Sequence, residues 1–542
     1  MKNFILISII TLASVLRLWQ LGVVPPSPDW DEAALGYNAY SILKTGRDEY
    51  GTFLPLTLRS YDDYKPPLYV YIAVPFIAAF GLDTWVVRLP SALLGISTVL
   101  ATYLLVVEIF RRWQWKDERI KDWVPVLSAL LLAISPWHIQ FSRIAFEANV
   151  GVTLNVWALV AFFTGLTHNK LLPLSAFLFG LALYAYHSER IFVPLMVTLL
   201  AIIFRRELFS LKKYSIIAII IGALTVAPLI PIFFNTTTLT RLRGTSALAA
   251  QTALLATSVK RLEYDKAIGD SLGYVFDNRR VVWGKKLLEG YLSHFSLRWL
   301  FLTGDNERHH APDMGLMYLV ELPFLLYGIY TLIRLGGTFA WFLTGWLIIS
   351  PIAASPTTEL PHAIRTLVFL PALQIFTALG IVNAYTEISK RRKTLVRLFV
   401  YSFMGLFVIN FVYYLDMYFH HMNTEFSKSW QYGYKQTVAY AEGRKSQYKK
   451  IVVSTKLEQP HMFFLFYTTY DPATYLSQGG TVSGGFEERN NRFDVYEFRT
   501  IQWDREIHDG DTLFIGTPGE IPEPAILTIP YMDGSGAIVV SQ

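Results

Sequence analysis

The chain has 542 residues, enough for several domains, yet 53% of them are hydrophobic and only 17% are charged, against about 25% charged in a typical soluble domain. With a mean hydropathy of +0.34, most of the chain is read as lying in lipid, and a soluble multidomain protein is excluded. The net charge of +6 sits in short basic clusters between apolar segments, so it reports membrane topology and not nucleic-acid binding. The absence of cysteine excludes a disulfide framework, a thiolate nucleophile and a zinc–thiolate centre.

Apolar runs of about 20 residues cross the hydrocarbon core, and shorter ones do so where protein covers their ends. On that basis spans are expected near 4–22, 84–110, 123–138, 148–167, 171–187, 190–204, 214–234, 315–334, 338–354, 363–385 and 395–415. The first of these has a weak charged flank and no small-x-small cleavage site before Pro25, so it reads as an uncleaved helix. With a cytoplasmic amino terminus, every second loop should be basic. The loops carrying Arg111, Arg112, Lys116, Arg119 and Lys121, then Arg205, Arg206, Lys212 and Lys213, then Lys390, Arg391, Arg392, Lys393 and Arg397 obey that phase. The expectation is a multi-pass protein of the cell membrane whose loops 23–83, 138–147, 187–190, 235–314 and 355–362 all face outward.

Within the first outer loop, Leu68 to Phe80 is apolar but short and is punctuated by Pro75, which predicts an interfacial or re-entrant helix. Residues 416–542 change character. Ile451–Ser454 and Thr512–Gly516 read as strands and Pro460–Tyr470 as a helix, predicting a small exported α/β domain after a transmembrane domain of residues 1–415.

Chemistry-bearing residues collect on the outer side. Asp29, Asp31 and Glu32 follow the first span directly; carboxylates there serve as a general base or hold a cation, while acids in that place also cap the following helix. Lys65 is presented by the stiff Pro66-Pro67 turn beside Asp62 and Asp63, where an ammonium holds a phosphate or a lipid headgroup. Arg143 and Glu147 share the next outer loop, as substrate contacts or as an ion pair at a helix end. Arg190, in the His187–Arg190 turn, and His362 with Arg365 complete the candidate substrate contacts. The run Gly304–Asp313 carries His309 and His310 among acids, but with none of the spacings that define a metal motif. It is read first as a solvated loop closing over substrate; no metal ligand and no cofactor are assigned, and a divalent cation is left open.

The order of several short motifs is more specific than any one of them. Arg17-Leu18-Trp19, Asp31-Glu32, Lys65-Pro66-Pro67-Leu68, Arg88-Leu89-Pro90-Ser91, Ser135-Pro136-Trp137-His138 through Arg143, Met314-Gly315-Leu316 with Glu321-Leu322-Pro323, and Arg365 with Pro371 occur in turn along residues 1–415. In that order the chain resembles the C superfamily of membrane glycosyltransferases, above all the protein O-mannosyltransferase family (family 39) and the lipid A aminoarabinose transferases. The resemblance implies a polytopic helical fold of about 11 spans. It implies inverting transfer of a sugar from a polyprenyl-phosphate carrier to an acceptor hydroxyl outside the cytoplasm, on protein, lipid or glycan. Asp31 matches the acid that handles that hydroxyl, with Glu32 in support and Asp29 as the alternative, and Lys65 matches the phosphate-contacting lysine. Loops 23–83 and 235–314 are expected to form the active site. The Rossmann and P-loop fingerprints are absent from the sequence, consistent with a lipid-linked donor in place of a nucleotide sugar. A lipid-linked-sugar transporter and a non-catalytic scaffold are the competing readings, and the charges gathered at one face speak against the transporter.

Overall fold

The computed structural model describes every residue except Met1, Asp62, 113–116, 234–250, 391–392, 483–490 and Glu523, and omits the side chains of Lys2, Asp63, Phe233 and 251–254. The chain opens with α1 (Lys2–Leu18), α2 (Trp30–Thr45), the strands β1 (Leu58–Ser60) and β2 (Asp63–Lys65), and α3 (Leu68–Phe80). Then come α4 (Thr84–Arg112), α5 (Glu118–Ile134), α6 (Pro136–Ser142), α7 (Glu147–Gly165), α8 (Leu172–Ala182), α9 (Glu189–Ile203), α10 (Arg205–Ser210) and α11 (Lys212–Val226). Later apolar helices cover Leu322–Leu335, Gly337–Ile349, Ala372–Ser389 and Lys393–Asp416.

A helix lies in each of the eleven segments expected to span the membrane. Among the described residues, five helices are long and apolar enough to cross it: Thr84–Arg112, Glu147–Gly165, Lys212–Ile232, Leu367–Ser389 and Lys393–Phe426. A sixth counts if α5 and α6 are one broken span. The segment 123–138, read as one span, instead bends by 58° between these two helices. Pro136, which brings no N–H to the ladder, starts the second of them.

Two compact units result, one of Met1–Ile9, Thr98–His138 and Gly151–Asn410 and the other of Ile10–Ser97, Ile139–Val150 and Phe411–Gln542. In the first, Ala372–Ser389 packs against both α5 and Leu322–Leu335, and α8 packs on α11. Small residues set the closest approach. A Cβ at Gly328 would stand 1.9 Å from the Phe376 carbonyl oxygen, and one at Gly380 would stand 1.9 Å from that of Phe324, so only glycine lets these two helices touch along their backbones.

In the second unit, α2 packs against α3 and against the helix Pro460–Thr468. The carboxyl-terminal part carries β3 (Lys450–Val453), β4 (Asn491–Phe493), β5 (Tyr496–Phe498), β6 (Thr512–Gly516), β7 (Leu527–Pro530) and β8 (Gly536–Ser541). They form one mixed sheet in the order β4-β5-β3-β6-β8-β7, in which β3 runs parallel to both β5 and β6. Val452, Phe514 and Val539 close its core with Ile501 and Ile521. Contacts reach far along the chain: Tyr37 Oη donates to the Tyr470 carbonyl (3.2 Å) and Thr481 Oγ1 to the Glu49 carboxylate (2.7 Å).

Candidate active site

Local rules place Asp31. Asp29 is the N-cap of α2, accepting from the Glu32 amide at 2.8 Å, while the Glu32 carboxylate receives the Asp29 amide at 3.3 Å. This reciprocal capping box fixes the first turn and leaves Asp31 with 29% of its side chain exposed. Opposite it, β1 and β2 form a short hairpin in which Leu58 pairs with Lys65. Tyr61, at the turn, donates to the Trp30 carbonyl at 2.7 Å, so the hairpin is tied to the start of α2. Lys65 Nζ thereby forms an ion pair with Asp31 Oδ1.

The other acids of the motif take different places. Glu32 is buried and forms a two-point pair with the fully buried Arg88, at 2.9 Å to Nε and 2.8 Å to Nη2, and also accepts the Ala145 amide at 2.7 Å. The remaining Arg88 donors meet the carbonyls of Leu21 (3.1 Å), Pro25 (2.9 Å) and Ser27 (2.7 Å). Every guanidinium N–H is therefore used in holding the chain between α1 and α2, and Trp430 lies against the ion at 5.8 Å. Glu32 is thus taken up by Arg88 and the Ala145 amide, and Asp29 is the cap.

Arg143, read above as a substrate contact or as half of an ion pair at a helix end, is fully buried and donates to the carbonyls of Leu16 (2.8 Å), Gln20 (3.3 Å) and Val24 (2.9 Å). These are carbonyls at and just beyond the end of α1, of which that of Gln20 also accepts the Val23 and Val24 amides; the geometry uses this arginine to close the end of the helix. Glu147 lies in the first turn of α7 and is buried. Arg190 is half-buried, and the neighbouring Glu189 carboxylate is taken by the Asn155 amide at 2.6 Å. Asp62 and the Asp63 side chain lie outside the described residues, as do residues 234–250 of the loop expected over 235–314.

A second cluster, in the other unit, joins residues the sequence left unconnected. Asp305 Oδ2 meets His309 Nδ1 at 2.8 Å and His362 Nδ1 at 3.9 Å, and accepts the Ala363 amide at 2.6 Å. Burial alone would raise the Asp305 carboxyl, but the His309 hydrogen bond and the surrounding histidines hold it down at about 2. Burial pushes both His309 and His362 below the ordinary imidazole range. Behind them, His294 accepts the His362 amide through Nε2 at 3.2 Å and faces the Gly290 carbonyl through Nδ1 at 2.7 Å; burial pushes it down to about 4. Gly304, at φ +64°, is required beside them, because a Cβ there would meet the His310 ring at 2.5 Å. Both His310 ring nitrogens face carbonyl oxygens, those of Ala311 and Asp305, and Arg365 holds Thr357 and the Thr358 carbonyl at 2.7 Å. The sequence reading took Asp305 only as one of the acids in the Gly304–Asp313 run and did not single it out. Its i, i+4 spacing to His309 was the only local signal, and His362 lies far beyond it in the chain.

The fold is similar to those of solved glycosyl-transferring proteins. ArnT from Cupriavidus metallidurans bound to undecaprenyl phosphate matches with a TM-score of 0.53 at 13% identity, over 98% of this chain and 97% of that one; its apo state gives 0.54 at 12% identity. The oligosaccharyltransferase AglB from Archaeoglobus fulgidus, in complex with an inhibitory peptide and a dolichol-phosphate, matches with a TM-score of 0.51 at 13% identity over 86% of this chain. This chain spans 63% of that protein's length. Residues 64–232 match the family described as dolichyl-phosphate-mannose-protein mannosyltransferase. Among the curated protein sequences there is no match. The chain thus resembles the protein O-mannosyltransferase family and ArnT, in sequence over α3 to α11 and in fold over nearly its whole length.

Proposed function

We propose that this chain is an inverting glycosyltransferase that moves a sugar from a polyprenyl-phosphate carrier to a hydroxyl outside the cytoplasm. The observation that carries the reading is the Asp31–Lys65 ion pair in the first loop after α1, on a fold shared with an enzyme captured with undecaprenyl phosphate. A phosphate arriving at Lys65 takes over the ammonium and releases Asp31 for the acceptor. The acceptor oxygen attacks the anomeric carbon, its proton passes to the Asp31 carboxylate, and the bond to the phosphate oxygen breaks. The electron pair leaves with the polyprenyl phosphate, whose charge Lys65 offsets; a single displacement inverts the anomeric centre.

In the same reading, residues 1–415 form about 11 spans in the cell membrane with a cytoplasmic amino terminus, and 416–542 form an exported domain. The acceptor belongs to the class of protein, lipid or glycan hydroxyls. The test supplies purified protein with a polyprenyl-phosphate-linked sugar and peptide, lipid and oligosaccharide acceptors in parallel. Free polyprenyl phosphate should appear with one acceptor class, and Asp31→Asn should slow its release by about 10²–10⁴. No release with any acceptor, or unchanged rates in both Asp31→Asn and Lys65→Ala, overturns the proposal.

A further inference from the structure

We propose that Asp305, His309 and His362 form a divalent-metal site, suited to zinc, that pins the 304–313 loop to the segment around His362. One donor atom from each of the three lies within 4.8 Å of the others. In a tetrahedral zinc site with ligand distances near 2.0–2.1 Å, neighbouring donors stand about 3.3 Å apart; the 2.8 Å and 3.9 Å separations at Asp305 Oδ2 bracket that value. An ion enters with shifts on the order of 1 Å and replaces the proton shared by Asp305 and His309.

A hydrogen-bonded Asp–His pair by itself has no use for a third member. His362 supplies one: it is only 8% exposed, its Nδ1 faces Asp305 Oδ2 at 3.9 Å, and that nitrogen has no hydrogen-bond partner among the described residues. A buried imidazole nitrogen left in that state is costly, and a cation at the centre of the three removes the cost. The surroundings orient the ligands as a metal site requires. The Ala363 amide holds Asp305 Oδ2, and His294 holds the backbone of His362. Two imidazoles and one carboxylate favour zinc over the hard cations magnesium and calcium, and three protein ligands leave a fourth position for water or a substrate oxygen.

The test measures metal directly and is independent of the glycosyl-transfer reading. Full-length protein in detergent is stripped with a chelator, dialysed, and titrated with zinc chloride against a chromophoric competitor, with bound metal counted by mass spectrometry. One zinc per chain is expected, retained in Asp31→Asn. Binding should weaken by 10- to 100-fold or more in His362→Ala and in Asp305→Asn. His362→Gln, which keeps a polar side chain of similar size, guards against misfolding and should lose zinc as well. Failure of the intact chain to take up zinc, preference for magnesium or manganese, or equal uptake in all three ligand variants refutes the site.

Discussion

Glu32 and Asp31 are adjacent in sequence and opposite in what their loss should do. Glu32→Gln keeps the shape of the side chain but removes the charge facing Arg88, which is 0% exposed and bound through Nε and Nη2. The new amide also turns an N–H pair toward one of the donors that now meet the carboxylate, from Arg88, Ala145 and Asp29. Removing one partner of a buried ion pair costs about 3–5 kcal/mol. For a unit of this size, at roughly 2–4 °C per kcal/mol, the unfolding midpoint should fall by about 6–20 °C. Asp31→Asn breaks a partly buried pair, with the lysine 11% and the acid 29% exposed, and should cost less than breaking the fully buried Glu32–Arg88 pair. Thermal unfolding in detergent, followed by tryptophan fluorescence beside the release assay, separates the two. Glu32→Gln should be unstable with the surviving folded fraction still turning over, and Asp31→Asn should be stable and nearly inactive. Equal midpoints for the two variants, or a Glu32→Gln protein as stable as the parent, would show that the division of roles is wrong.

Lys65→Ala should leave folding intact and lower turnover by about 10²–10³, with Lys65→Arg recovering part of it, because the missing cation acts on the departing phosphate; steady-state rates at saturating donor check this. Gly380→Leu should destabilise the protein by more than the 1–3 kcal/mol typical of overpacking, since its Cβ meets the Phe324 carbonyl oxygen at 1.9 Å; loss of monodisperse protein on gel filtration is the readout. Burial raises the pKa of the Glu49 carboxyl above its ordinary value, against the opposing effects of His461 and of the hydrogen bonds from Thr481 and Asn38. The folded state therefore holds that proton more tightly than the unfolded chain. Its contribution to stability is complete below about pH 4.3 and is lost as pH rises through the elevated pKa; Glu49→Gln should flatten that part of a stability-versus-pH curve.

The helices were legible because they are apolar runs of a length that a bilayer would impose, and among the described residues the break at Pro136 is where local backbone chemistry overrode a continuous run. Lys65 was readable as a stiffly presented cation, but the three-residue strands that aim it at Asp31 carry too little pattern to register. Arg143 shows the opposite case. A charged residue between two expected spans invites a substrate role, yet the carbonyls at and beyond the end of α1 hold its guanidinium, and nothing in its own neighbourhood of sequence reveals that demand. In the carboxyl-terminal sheet β3 and β6 were read from their apolar runs; β4, β5 and β7 are strands of three or four residues whose identity depends on their neighbours, whereas β8 carries a buried apolar run, Ala537–Val540, that the sequence reading passed over.

The bond between Thr481 and Glu49 closes over 432 positions of sequence. At about 5–20 residues per second, a ribosome needs on the order of 20–90 s to travel that far. Throughout that interval the segment bearing Asp31 and Lys65 waits without the groups that later bury Glu49 and cover α2. A nascent or prematurely terminated polypeptide is thereby left with Glu49 lacking its Thr481 donor and with α2 lacking the helix Pro460–Thr468 that packs on it.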